Sequence, residues 1–235
     1  MHGLWVPFFL VFISSIPVIA VFIWFRIIRY PFSLVRFLFT LLAGAAAVFP
    51  ALVMQKIFSL LFPVEGRWTL FTHVFIYVAL IEELSRLIML FILFWISARF
   101  AAPVAGTANP ERLESNRIVI HGAAAGLVAG LGFAVLEGAI YGASSTGVLL
   151  LRAFTAAPLH GACGSRVGTA AVMFRRQPVR ALFGLLAAAA IHGVYNFMII
   201  MPGFPSIAAV LIAVSALASS VMSIWNTQRS GPPAA

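Results

Sequence analysis

The chain alternates long apolar runs with short polar connections, and the runs are too long for the core of a soluble domain. Seven are legible: roughly Leu4–Phe25, Phe32–Val53, Thr69–Ile96, Ile118–Tyr141, Thr146–Phe174, Ala181–Ile200 and Ile207–Trp225. Each approaches or exceeds the roughly 20 residues that a helix needs to cross the hydrocarbon core of a bilayer. Lipid offers backbone groups no partners, so runs of this length imply helices with every amide bonded internally. The third and fifth runs are longer than a bilayer requires and are interrupted by polar residues. Pro158 predicts a break in the fifth, because proline removes a helix donor and its ring crowds the preceding turn. The first run lacks a basic leader and a small-residue cleavage site, so it reads as a helix and not as a signal peptide.

Two segments read as connections. Ser97–Arg117 combines proline, glycine, asparagine and charge, the composition of a loop. The end of the chain, residues 226–235, reads as a disordered tail. The predicted fold is therefore all-α: a polytopic bundle of about seven spans forming one integral membrane domain over residues 1–225.

Composition sharpens this. Of the 235 residues, 63% are hydrophobic and 9% are charged, whereas about a quarter of a soluble domain is charged. The net charge of +9 would ordinarily suggest an acidic partner such as nucleic acid. Here the basic residues mark topology, and the expected surroundings are the lipid bilayer, with no nucleic-acid partner. Arg26, Arg29, Arg36, Arg99, Arg112, Arg117, Arg175, Arg176, Arg180 and Arg229 fall on one side of a seven-span arrangement, against Lys56 and Arg67 on the other. Positive loops stay cytoplasmic, which predicts an outside N-terminus and a cytoplasmic C-terminus. Cys163 is the only cysteine, so an internal disulfide is excluded.

The chemistry lies in polar residues inside the apolar runs. A charged side chain at the bilayer centre costs roughly 2.5–3.5 kcal/mol on insertion scales, yet the third run carries Glu82, Glu83 and Arg86 within five residues. Glu82 and Arg86 are four apart and Glu83 and Arg86 are three apart, so either carboxylate can pair with the arginine. One arginine offsets one carboxylate, and two glutamates in unequal surroundings suit different tasks. The fourth run has glycines at 122, 126, 130, 138 and 142, a spacing that lets another helix approach closely. Beside them run Phe133, Glu137 and Tyr141, and close packing gives Glu137 no structural use. The fifth run contributes Arg152, His160 and Arg166, and the sixth places His192 and Asn196 four apart on one face. At 1.5 Å per residue, Glu83, His160 and His192 fall near mid-span, with Glu137 about 10 Å nearer the outside. Cys163 lies one turn from His160, which leaves a thiol mechanism as a lesser option.

Glu82–Arg86 (EELSR), Phe133–Glu137 (FAVLE), the pair Arg152 and His160, and His192–Asn196 (HGVYN) resemble, in order, the motifs of the PrsW family. These are bacterial intramembrane endopeptidases, described as glutamic-type and related to the CAAX prenyl endopeptidases. The resemblance spans roughly Thr69–Ile200, the expected catalytic core, and departs at Gly138, where the family pattern has asparagine. It implies a multi-pass protein of the bacterial cell membrane whose substrate is a membrane-anchored protein, an anti-sigma factor in the best-known cases. It also implies Glu82 or Glu83 as general base, with Glu82 preferred and Arg86 holding the other. Glu137 would then be a second acid/base residue, His160 would orient water, His192 and Asn196 would donate to the oxyanion, and Arg152 would support them. The motif HExxH of the zincins is absent. Glu82, Glu137, His160 and His192 together would suit zinc, but a site without cofactor is the favoured expectation. Intramembrane Glu, His and Arg also build ion pathways, so a proton- or ion-coupled transporter is the rival reading, and a catalytically inactive scaffold binding a partner helix is another.

Overall fold

The computed structural model describes residues 5–100, 110–142, 146–201, 203 and 206–229. Among these the only regular secondary structure is helix, and the helices assemble into rods that follow the seven apolar runs. The first rod is α1 (Trp5–Ser14) with α2 (Ile16–Ile27), and the second is α3 (Leu34–Ala46) with α4 (Val48–Leu61). The third joins α5 (Arg67–Thr72), a π-helical stretch (His73–Leu80) and α6 (Ile81–Phe100). The fourth is α7 (Pro110–Gly142), and the fifth is α8 (Thr146–Phe154) with α9 (Ala156–Met173). The last two are α10 (Pro178–Ile200) and α11 (Ser206–Arg229).

Among the described residues, four stretches are long and apolar enough to cross a membrane: Leu34–Leu61, Arg117–Tyr141, Pro178–Ile200 and Ile207–Gln228. Val11–Ile27 is a shorter apolar helix. The third rod carries the Glu82–Arg86 charges, and the fifth is divided at Thr155. The outer surface is covered with exposed Phe, Leu, Ile and Val, such as Phe39, Leu42, Phe183 and Leu211. A surface this apolar suits lipid and not water.

Prolines place the breaks within the rods. Pro17, Pro50 and Pro158 follow the interruptions at Ser15, Ala47 and Thr155 by two or three residues. In each case the carbonyl four residues before the proline, that of Ile13, Ala46 or Phe154, can receive no N–H from it and is crowded by its ring. The break expected near Pro158 is therefore present, and two more obey the same rule.

Several boundaries differ from expectation: α4 continues to Leu61, past the end expected at Val53, and α6 to Phe100, inside the expected loop. α7 begins at Pro110, so residues 110–117 of the expected loop are helical. Proline is well suited to the first helical position. α11 continues through Arg229, four residues into the expected tail, with Gln228 Nε2 donating to the Ile28 carbonyl at 2.8 Å. Residues 230–235 lie outside the described residues.

α7 is the central helix, packed on α9 by backbone contact. A Cβ added at Gly126 would lie 2.0 Å from the Gly164 carbonyl oxygen, and one at Gly130 would lie 2.0 Å from that of His160. On another side of α7, a Cβ added at Gly44 of α3 would lie 1.9 Å from the Ala129 carbonyl oxygen. Lipid gives helices little hydrophobic reason to associate, so van der Waals contact between small residues holds such a pair. The glycine register also sets the height at which α9 presents His160 to α7.

Candidate active site

Glu82 and Glu83 open α6 immediately after the π-helical stretch. Successive residues on a helix point about 100° apart, so two neighbouring glutamates can both be buried only where protein covers both directions. Here Glu82 faces α4 and α7, and Glu83 faces α9 and α10. Glu82, Glu83, Arg86, Glu137, His160 and His192 are all buried, and Glu83 and Arg86 have no exposed surface. π-helical turns are rare and concentrate at functional sites. This one is matched to α10, where Gly193 leaves room for the Phe75 ring: a Cβ there would lie 2.4 Å from it.

Arg86 takes the second glutamate. Its Nη2 bonds Glu83 Oε1, its Nη1 donates to the His160 carbonyl at 3.2 Å, and its guanidinium lies 4.7 Å from the centre of the Phe133 ring. Glu83 Oε1 also meets His192 Nδ1 at 2.8 Å, leaving His192 Nε2 to face Glu82 Oε2 at 3.6 Å. The other oxygen of Glu82 accepts from Gln55 Nε2 at 2.9 Å, and its Oε2 is buried without a hydrogen bond. Gln55, on α4, was not anticipated from the sequence. The only signal was an amide beside Lys56, just past the end expected for the second span.

Glu137 meets the cluster despite its expected offset. Its Oε2 is 2.7 Å from His160 Nε2 and 2.5 Å from Arg152 Nη2, so α7, α8 and α9 converge there. Arg152 in turn lies 4.4 Å from the centre of the Tyr141 ring. The His160 and His192 rings stand edge to face with centres 4.9 Å apart. Asn196 is half-buried one turn beyond His192 and is not hydrogen-bonded to the cluster. Cys163 is buried and donates its thiol to the Ala188 carbonyl, with Sγ 3.4 Å from the oxygen, in the packing of α9 on α10. Arg166 reaches Ser220 of α11 at 3.0 Å and takes no part.

Glu82, His160 and His192 each offer one ligand atom, all within 4.8 Å of one another. The hydrogen bonds suit this use. Each imidazole has one nitrogen on a carboxylate, His192 Nδ1 on Glu83 and His160 Nε2 on Glu137, which is how metal-binding histidines are held. The other nitrogen is left over: His160 Nδ1 is buried with no hydrogen bond, as is Glu82 Oε2. Two imidazoles and a carboxylate form a donor set suited to zinc. Glu137, expected among the ligands, is not one of these three, and its Oε2 faces Arg152 and His160 instead.

A helical bundle with a lipid-facing surface defines a multi-pass membrane protein, and the buried constellation is its candidate site. The profile of the PrsW family intramembrane metalloproteases matches residues 31–221. The chain belongs to that family and is a peptide hydrolase acting on membrane protein. No curated protein and no solved structure matches it. The family description and the three converging donors fit a metal site and do not support the expectation of a site without cofactor.

Proposed function

We propose that the chain is an intramembrane endopeptidase that cuts a membrane-anchored protein at a zinc site formed by Glu82, His160 and His192. The observation that carries this is the convergence of those three donors from three helices, with each imidazole backed by a buried carboxylate. Bound there, zinc would supply the positive charge that polarises the scissile carbonyl.

The protein's own groups divide the remaining work. Arg86 neutralises Glu83, and Glu83 fixes the His192 ring with Nε2 directed inward. Glu137 lines the cavity beside Glu82 and carries the second proton-transfer role. It accepts a proton as water adds to the carbonyl and returns it to the leaving amine as the C–N bond breaks. Arg152 balances its charge at the edge of the site. With Glu82 among the ligands, the base assignment passes from Glu82 to Glu137.

Seven crossings with the N-terminus outside and the C-terminus in the cytoplasm form the topology of this proposal, in one domain over residues 1–225. The arginine distribution supports that orientation. The proposed location is the bacterial cell membrane, and the substrate is of the anti-sigma-factor kind, both carried by the family resemblance.

The test uses the purified protein in detergent. Metal content is measured, and single-span peptides are incubated with it, with and without a chelator, beside Glu82→Gln. One zinc per chain, with cleavage lost on chelation, restored by zinc and absent in Glu82→Gln, is the expected result. Chelator-insensitive cleavage by a zinc-free chain would return the site to metal-free glutamate chemistry. Neither zinc nor cleavage would overturn the reading.

A further inference from the structure

A cavity of about 180 Å³ opens beside the candidate site, between α4 and α7. Its floor is polar, formed by Glu82 and Glu137, both buried. Its inner walls are the buried Val48, Ala51 and Phe133. Leu52 and Ile140 form the rim, 41% and 47% exposed, on two helices long and apolar enough to lie in the membrane. The lining thus combines buried carboxylates, buried apolar side chains and lipid-facing apolar ones, with Gln55 and the exposed Tyr141 completing it.

Volume limits what can enter. An apolar cavity of roughly 150 Å³ accommodates a benzene ring, whereas a helix with its side chains is about 10–12 Å across. One apolar side chain fits and a wound helix does not. The occupant must therefore be a short unwound segment, with its backbone near the carboxylates and a side chain between Val48, Ala51 and Phe133.

We propose that this cavity is the subsite for an apolar residue flanking the scissile bond, reached by the substrate from the lipid between α4 and α7. The proposal rests on the endopeptidase reading and names the substrate class for it: a membrane-anchored segment with an aliphatic residue beside the cleaved bond.

A complementary change of size tests it. The wild type is given single-span peptides differing only in the residue flanking the cleaved bond: Ala, Leu or Phe. Ala51→Leu, which narrows the cavity, is expected to shift kcat/KM from Leu toward Ala by about tenfold, the scale of a methylene in an apolar pocket. Val48→Ala, which widens it, is expected to raise the Phe peptide relative to Leu. A gain on one peptide cannot come from a damaged fold, so unchanged preferences in folded, active variants would overturn the subsite.

A second arm does not depend on turnover. Glu82→Gln is irradiated with a single-span peptide carrying photo-leucine, placed beside the cleaved bond or scanned along the span if nothing is cleaved. Adducts on 48–55 of α4 or 133–141 of α7 are expected. Adducts confined to other helices would overturn the proposal. Adducts on α4 and α7 with no cleavage by the wild type would retain the subsite and reject the endopeptidase reading.

Discussion

His192 and Glu83 lie 109 positions apart in the chain and meet through a 2.8 Å hydrogen bond between Nδ1 and Oε1. That bond orients one imidazole, and the same carboxylate oxygen also neutralises Arg86. Glu83 thus holds two partners through Oε1, whereas Glu82 accepts a hydrogen bond only from Gln55, and each keeps its Oε2 buried without one.

The Glu83–Arg86 pair is therefore expected to govern stability more than its neighbour does. Removing one member of a buried ion pair typically costs about 3–5 kcal/mol, because the other charge remains buried alone. Glu83→Gln should lower the melting temperature in detergent markedly. Glu82→Gln, which keeps an acceptor for Gln55, should unfold near the wild type while losing activity. Equal melting temperatures for the two variants would contradict this assignment.

Gln55 holds one oxygen of Glu82 and so leaves the other for the site. Partners of this kind are typically worth about 10–100-fold in metal affinity. Gln55→Leu should weaken zinc binding by that order in a chelator competition, with little change in melting temperature of the metal-free protein. Unaltered affinity would reduce Gln55 to a lining residue.

The glycine contact between α7 and α9 predicts graded effects. Overpacking a tight contact costs about 1–3 kcal/mol. Gly126→Ala places a Cβ 2.0 Å from a backbone oxygen that cannot turn aside, so it should be clearly destabilising. Gly138→Ala meets only the Ser14 hydroxyl, at 3.1 Å, and should be tolerated. Thermal unfolding of both variants separates the cases.

Cys163 lies one turn from His160, but its thiol donates into the α9–α10 interface. Cys163→Ala should retain cleavage and resist thiol-directed inhibitors as the wild type does. Lost cleavage in a folded Cys163→Ala would revive a thiol mechanism.

Hydropathy along the chain was enough for the helical membrane character, because lipid leaves a long apolar segment no other way to satisfy its backbone. Pro158 announced its break, since the lost donor and the clash are local. The in-membrane polar residues marked Glu82, Glu83, Arg86, Glu137, Arg152, His160 and His192, because each is expensive in lipid. Spacing alone left Arg86 free to pair with Glu82 or Glu83. Only the packing of α6 against α9 and α10 selects Glu83, by bringing His192 and the His160 carbonyl to the same place. The contact of Glu137 with His160 depends on the relative height of α7 and α9, set by glycine contacts between helices and invisible to counting along either one. Gln55 reaches Glu82 across a gap of 27 positions, and the cavity is lined jointly by residues of α4, α6 and α7. What the chain determined alone was each residue's local conformation and its cost in lipid. Which side chains meet was decided by the tertiary fold, because helix registers are fixed by contacts made far apart in sequence.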